Sequence, residues 1–205
     1  MLEGITAGFI LSLTLYPGTV WLTKVGMHGS RRQVFAVGLG FALSQWLWLM
    51  FSVPGMMLMT RHLSFVAMGM HVFAAFVLGY MSWKSFRSER VSDLEIATLD
   101  LGSVGLFRSA FVRSLAMPMR LPTAMALLLS TGAFVNHAAT WQVVPSLWAG
   151  VTIGVLWWWL QFSGLAAFFV KQVPVRITLK SLNKIRPFCG VLYLFLAVIS
   201  LLLIK

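Results

Sequence analysis

Long apolar runs separated by short basic turns set the pattern of the first half of this chain. No charged side chain occurs in three successive stretches, 4–23, 33–60 and 62–83. Each stretch is long enough to cross about 30 Å of hydrocarbon as a helix that rises about 1.5 Å per residue. The pattern therefore predicts three transmembrane helices before residue 84.

A polar segment at 84–109 interrupts this pattern and contains four of the five acidic residues. It is predicted to be a cytoplasmic loop, with one surface helix as an alternative. The uncharged stretch 121–170 is too long for one span, and the segment 136–145 divides it because it contains Asn, His and Pro. The predicted fold class is an all-α integral membrane protein with a single membrane domain, 1–205. Its six transmembrane helices are predicted at about 4–23, 34–59, 63–83, 110–135, 146–170 and 187–204.

Composition and charge support a membrane protein and indicate its orientation. Hydrophobic residues make up 59% of the 205 residues and charged residues only 10%, whereas soluble domains have about 25% charged residues. The net charge of +11 does not indicate nucleic-acid binding, because the basic residues lie in turns between apolar runs. Basic residues are concentrated on one side of the predicted topology, which predicts that both termini are non-cytoplasmic. Those on the predicted cytoplasmic side are Lys24, Arg31, Arg32, Lys84, Arg87, Arg90, Arg108, Arg113, Lys171, Arg176, Lys180, Lys184 and Arg186.

No catalytic motif occurs in the sequence, so no enzyme activity, cofactor or metal site is predicted. The chain lacks an HExxH motif, a P-loop and a Ser-His pairing in a recognisable context. Its single cysteine, Cys189, excludes a CxxC redox pair and a cysteine-based zinc site. Transport by such a chain would have to use an ion gradient or the gradient of the solute itself.

Proline interrupts the first predicted span of each half. Tyr16-Pro17-Gly18 breaks the first span, and Pro118 and Pro122 lie in the fourth. A break at membrane depth frees backbone carbonyls, which lipid cannot pair, so it should face protein or a water-filled cavity. Matched breaks in two three-span halves are typical of inverted-repeat transporters and predict a 3+3 inverted repeat with a site at the breaks. The alternative is that Pro and Gly are simply frequent in membrane helices.

Small residues at four-residue spacing predict two faces for close helix packing. Gly4 and Gly8 define one face, and Gly150 and Gly154 define the other. Such spacing lets the backbones of membrane helices approach each other, so a structural role suffices for these glycines.

The order of several short motifs resembles the LysE/RhtB-type exporter family, the lysine, homoserine and threonine exporters. The matching segments are Pro17-Gly18, the turn 29–32 (GSRR), Gly38 with Gly40, the end of the third span at 79–84 (GYMSWK), and 107–111 (FRSAF) before a proline-bearing fourth span. The resemblance covers nearly the full length. It implies a compact bacterial inner-membrane exporter with about six spans and amino-acid-like substrates.

The chain departs from the family pattern at three places, which makes it a divergent member. Thr19 stands where the family commonly has the last residue of Pro-Gly-Pro. Ser44-Gln45 replaces a common Gly-Asp, and the segment 117–119 (MPM) replaces Asn-Pro-Lys. These departures bear on ion coupling and on substrate choice.

The predicted substrate-binding residues surround the breaks: Tyr16, Pro17, Gly18, Gln45, Pro118 and Arg120. Gln45 can hydrogen-bond a substrate but cannot carry a proton, and its alternative role is an interhelical hydrogen bond worth about 0.6 kcal/mol. Arg120 is expected to face a cavity or a partner, because a charge at mid-membrane costs about 2.5–3.5 kcal/mol or more. With no acid predicted in any span, an anionic ligand group is its expected partner. The alternative is that Arg120 snorkels to the cytoplasmic surface.

His71 is the one predicted intramembrane group that titrates near neutral pH. It is a candidate proton carrier, and its alternative role is a neutral residue hydrogen-bonded to a neighbouring helix. Together these features predict export of amino acids or related small zwitterions across the inner membrane. The alternative is a non-transporting assembly or signalling protein built on an exporter scaffold. The predicted partners are the solute and the lipid bilayer, with no nucleic acid, and a homodimer is left open.

Overall fold

The computed structural model describes residues 1–60, 64–94, 101–133 and 141–204. In these ranges the chain forms helices and turns without any strand. The helices are α1 (Leu2–Leu13), α2 (Tyr16–His28), α3 (Arg31–Thr60), α4 (Ser64–Arg87), α5 (Ser103–Leu115), α6 (Arg120–Ser130), α7 (Val144–Phe168) and α8 (Val175–Leu202). Single turns of 3₁₀ helix, Trp141–Val143 and Val170–Gln172, flank α7.

Three of these helices, α3, α7 and α8, are long and apolar enough to cross a membrane. The pair α1 and α2 qualifies as a fourth span if its two helices, bent by 62° at their junction, are counted together. The described part of the chain is therefore all-helical, with three to four candidate spans, which indicates a membrane protein. Six spans were predicted above, and the described helices do not include that many of sufficient length and hydropathy.

The bend between α1 and α2 follows from Pro17. Proline has no backbone N–H, so the carbonyl of Leu13, four residues earlier, loses its helical donor, and the proline ring crowds that carbonyl. Proline is favoured in the first turn of a new helix, and Pro17 lies in the first turn of α2. One helix therefore ends and another begins at the break that Tyr16-Pro17-Gly18 predicts within the first span.

A capping box joins α2 to α3. The Ser30 backbone N–H donates to Gln33 Oε1 at 2.7 Å, and the Gln33 backbone N–H donates to Ser30 Oγ at 3.3 Å. Two N–H groups that would be unpaired at the start of α3 are thereby satisfied. The cap allows the chain to reverse direction within a short basic turn.

Several helix ends differ from the predicted boundaries. The segment 84–109 was predicted to be mainly loop, but α4 extends to Arg87 and α5 starts at Ser103. The predicted fourth span is divided into α5 and α6, with Pro118 in the connection, and part of it (134–135) lies outside the described residues. The sixth helix was predicted from residue 187, but α8 starts at Val175 and continues through Pro187. Charge patterns alone missed these extensions because a membrane helix can continue past the hydrocarbon boundary into polar surroundings.

Glycines allow two pairs of helices to pack closely. A Cβ atom built on Gly8 of α1 would lie 2.7 Å from the carbonyl oxygen of Val151 on α7. A Cβ atom on Gly40 of α3 would likewise lie 2.6 Å from the carbonyl oxygen of Phe107 on α5. Both approaches are too close for any side chain, so α1 packs against α7, and α5 against α3, through glycine. The faces predicted from Gly4 with Gly8 and from Gly150 with Gly154 are confirmed.

The remaining extensive contacts join α3 to α7 and α4 to α8. Between α4 and α8, Ser82 Oγ donates to the carbonyl of Gly190 at 2.8 Å. Serine hydroxyls and small residues of this kind are typical of helix contacts in membrane proteins. The α1–α2 junction lies inside this bundle, where Leu15 is fully buried.

Candidate functional site

The site is built around the backbone carbonyls that the α1–α2 junction leaves without helical donors. Leu15 N–H donates to the carbonyl of Ser12 at 3.2 Å and so does not continue the α-helical pattern to Leu11. The Leu13 carbonyl loses its donor because Pro17 has no N–H. Within a buried region each such carbonyl needs another partner.

Arg120, the first residue of α6, supplies two of these partners. Its side chain is 4% exposed, and Nη1 lies 3.3 Å from the Leu11 carbonyl oxygen. Nη2 lies 3.4 Å from the carbonyl oxygen of Thr14. Two N–H groups of one planar guanidinium therefore hold two carbonyls at the end of α1. The burial disagrees with the alternative in which Arg120 snorkels to the surface.

Cys189 and Tyr193 contribute from α8. Cys189 Sγ lies 3.8 Å from the Leu13 carbonyl oxygen, the group that Pro17 cannot pair. The buried Tyr193 hydroxyl interacts with the side chains of Thr14 and Arg120, although neither contact reaches hydrogen-bonding geometry. Side chains from α6 and α8 thus meet at the junction of α1 with α2.

A second arginine, Arg186, lies on the same side of α8 as Cys189 and Tyr193. Spacings of three and seven residues place these three residues on one helix face. Arg186 donates through Nη1 to the carbonyl of Ser88 and interacts electrostatically with Tyr16. Its Nε and the Tyr16 hydroxyl are both buried without a hydrogen-bond partner among the described residues. Both groups therefore keep the capacity to bind a polar ligand atom.

An open cavity of about 690 Å³ adjoins the junction. All three residues of the Tyr16-Pro17-Gly18 break line it. Its other lining residues come from α2, α3, α5, the segment that follows α4 and the α5–α6 connection: Val20, Trp21, Lys24, Phe41, Ser88, Val91, Arg113 and Met117. The wall is mainly apolar with two cations, Lys24 and Arg113, which is the composition of a small-molecule site.

Hydrogen bonds and an ion pair hold the segment 88–94 beside this cavity. Asn183 on α8 accepts from the Val91 backbone N–H at 2.9 Å and donates to the Val91 carbonyl at 3.1 Å. Asp93 forms an ion pair with Lys24, with 3.0 Å between Oδ1 and Nζ. These bonds connect the segment to α8 and α2, so it forms part of the wall.

Gln45 lies in the contact between α3 and α5. It is fully buried, and its Nε2 donates to Ser114 Oγ at 2.8 Å. Its Oε1 has no partner among the described residues. The interhelical bond is the structural role described above, and Gln45 does not line the cavity at the α1–α2 junction.

His71 lies in the contact between α4 and α8. The Ser200 hydroxyl is 3.0 Å from the His71 carbonyl oxygen and 3.4 Å from its Nδ1. The histidine is buried and does not line the cavity. This arrangement fits the neutral, hydrogen-bonded alternative, and it gives no contact with the other predicted site residues.

The predicted site residues are therefore brought together only in part. The Tyr16-Pro17-Gly18 break and Arg120 meet at the α1–α2 junction, whereas Pro118 is exposed in the connection between α5 and α6. Cys189 and Tyr193 are not among the site residues predicted from the sequence, and Arg186 is predicted only to lie in a basic loop. The signal available for them was the shared helix face, which is visible once α8 is known to begin before Pro187.

Comparisons with protein-family models, with curated proteins and with solved structures find no match to this chain.

Proposed function

We propose that this chain is a secondary transporter that exports amino acids or related small zwitterionic metabolites across the bacterial inner membrane. The α1–α2 junction carries the proposal, because a broken helix lies inside the bundle beside a cavity of about 690 Å³. Transporters bind solutes at such breaks, where helix ends offer unpaired backbone groups. The cavity volume also falls in the range of about 300–1,000 Å³ typical of small-molecule sites.

The proposed architecture is the six-span 3+3 inverted repeat of LysE/RhtB-type exporters, and the motif order supports it. Exchanging the two halves of the chain relates α1 to α5, α3 to α7 and α4 to α8. Under this exchange the packing of α1 on α7 corresponds to that of α5 on α3. The contacts of α3 with α7 and of α4 with α8 would then lie about the axis that relates the halves. A glycine allows close approach in each corresponding pair, Gly8 in one and Gly40 in the other.

The proposed orientation has both termini outside the cytoplasm. Lys24 and Arg113 belong to the basic turns assigned to the cytoplasmic side, and both line the cavity. The cavity would then open toward the cytoplasm, from which an exporter collects its solute. A homodimer is compatible with this arrangement but is not required by it.

One observation favours a second candidate, a non-transporting assembly or signalling protein. Gln45 occupies the position of the family acid, cannot carry a proton, and bonds to Ser114 across a helix contact. Arg120 in turn bonds to carbonyls of α1. On this hypothesis the polar groups hold the bundle together and no solute moves.

Efflux from reconstituted liposomes tests the two candidates. Purified protein is incorporated into liposomes loaded with one labelled amino acid at a time, with and without a proton or sodium gradient. Transport predicts release above protein-free liposomes for at least one solute. Release equal to the protein-free control for every amino acid and gradient would reject the exporter and favour the second candidate.

A further inference from the structure

Arg113 is a cation at the cavity wall that no acidic side chain neutralises within the described part of the chain. Its guanidinium carbon lies 5.1 Å from the centre of the Trp21 ring, and the side chain is exposed. A cation–π contact does not use the hydrogen-bonding capacity of the guanidinium N–H groups, so these groups can still bind a planar anion. The geometry suits a carboxylate, which accepts two parallel hydrogen bonds from arginine.

Among the residues that the structure describes, none of those lining the cavity is acidic. Two described acids, Glu89 and Asp93, lie in the segment beside the cavity but not in its lining, and the Asp93 carboxylate forms an ion pair with Lys24 at 3.0 Å. The ammonium group of a ligand would find backbone carbonyls and hydroxyls in this cavity, but no acidic side chain among the described lining residues. The charge pattern therefore favours an anionic group and offers little to a cationic one.

Aromatic rings form the apolar part of the wall. Trp21 and Phe41 meet edge to face with ring centres 5.8 Å apart. Phe41 also stacks on Trp159 with ring centres 5.1 Å apart, which holds its ring in place. Arg113 and this aromatic wall share Trp21, so a cationic and an apolar surface lie side by side.

We infer that the cavity binds carboxylates that carry an aromatic or bulky aliphatic body. The carboxylate pairs with Arg113, and the body packs against Trp21 and Phe41. An amino group on the ligand is tolerated but contributes little to affinity. The inference rests on the proposed function in treating this cavity as the solute site, and it narrows the solutes to apolar carboxylates, including amino acids with large apolar side chains.

Direct binding to the purified full-length protein tests the inference without any transport. Isothermal titration in detergent compares 3-phenylpropionate, L-phenylalanine, 2-phenylethylamine and L-lysine. The first two should bind with affinities within about threefold of each other, and the two cations at least about tenfold more weakly. Equal or tighter binding of 2-phenylethylamine or L-lysine would overturn the inference, as would failure of both phenyl carboxylates to bind.

Arginine variants identify the recognising group. Arg113→Gln should weaken 3-phenylpropionate binding by about 10- to 100-fold, the range expected for losing hydrogen bonds to a charged group. Arg113→Lys, which keeps the charge but loses the planar fork, should lie between this variant and the wild type. Arg108→Gln is the matched control, because Arg108 is exposed on the same helix and does not line the cavity. Wild-type affinity in folded Arg113→Gln would exclude Arg113.

The same ligands separate this inference from the transport proposal. Binding of 3-phenylpropionate without efflux of phenylalanine from liposomes would support the ligand class and count against transport. Efflux of other amino acids, together with no binding of 3-phenylpropionate, would support transport and overturn the ligand class.

Discussion

Arg120 Nη1 lies 3.3 Å from the carbonyl oxygen of Leu11, a residue 109 positions earlier in the chain. The contact pairs a buried charge at the start of α6 with a carbonyl at the end of α1. The sequence predicts an anionic ligand as the partner of this arginine, whereas the structure pairs it with backbone carbonyls. Nη1 and Nη2 each donate one N–H to a carbonyl at the end of α1, which is a structural role. The remaining N–H groups of the guanidinium could still bind a ligand.

Replacing Arg120 distinguishes these roles. Arg120→Leu should lower the free energy of unfolding by about 1–3 kcal/mol, because it leaves the buried Thr14 carbonyl without a partner among the described residues, whereas the Leu11 carbonyl keeps the Thr14 hydroxyl at 3.2 Å. Arg120→Lys should lower the free energy of unfolding less, because the ammonium can still donate to one of the carbonyls although it cannot hold both in the same geometry. Thermal unfolding of purified protein measures stability, and liposome efflux measures transport. A leucine variant with unchanged stability would contradict the structural role, and wild-type efflux from it would remove Arg120 from the solute site.

Enlarging Gly18 should disturb the α1–α2 junction. A Cβ atom at this buried position would lie 2.8 Å from Leu15 Cδ2 and 3.2 Å from the Trp159 ring. Gly18→Ala should be partly tolerated because the Leu15 side chain can move, whereas Gly18→Leu should abolish efflux while the protein still inserts. Efflux assays beside a measurement of protein level in the membrane check this expectation. Normal efflux from Gly18→Leu at normal protein level would mean that the break is only a kink.

His71 should prove dispensable for proton coupling. Its contacts with Ser200 fit a neutral side chain between α4 and α8, so His71→Gln should retain efflux and its dependence on external pH. This variant keeps the Ser200 bond to the backbone carbonyl at position 71 and loses only the 3.4 Å contact with Nδ1, so it should cost no more than about 0.6 kcal/mol of stability. Efflux measured from pH 5.5 to pH 8 provides the test, with Ser200→Ala as the matched control for the same contact. A pH dependence that disappears only in the histidine variant would restore the carrier hypothesis.

The distribution of basic residues predicts where the C-terminus lies. A reporter enzyme that is active only in the periplasm, fused after Lys205, should be active because the turns predicted to be cytoplasmic hold the excess of Lys and Arg. A second fusion within the polar segment, after Glu89, should be inactive and serves as the control. The opposite pattern of activities would reverse the orientation and place the cavity on the other side.

Features that depend on short stretches of chain could be predicted from the amino-acid sequence. Apolar length predicted helices, and Pro17 predicted the end of α1, because a missing N–H acts on the carbonyl four residues away. Small-residue spacing predicted the faces of α1 and α7 for the same reason: the periodicity of a helix is local. The helix ends near polar segments were less accurate, since charge marks the membrane boundary and not the end of a helix.

The groups that pair the freed carbonyls and line the cavity depend on how distant helices pack. Arg120 and Cys189 reach α1 from α6 and α8, and no local pattern connects residues so far apart in sequence. Their meeting depends on how the helices pack, and glycine contacts such as those of Gly8 and Gly40 determine that packing by letting backbones touch. The chain encodes the broken helix locally, but the partners that satisfy it exist only once the helices are assembled.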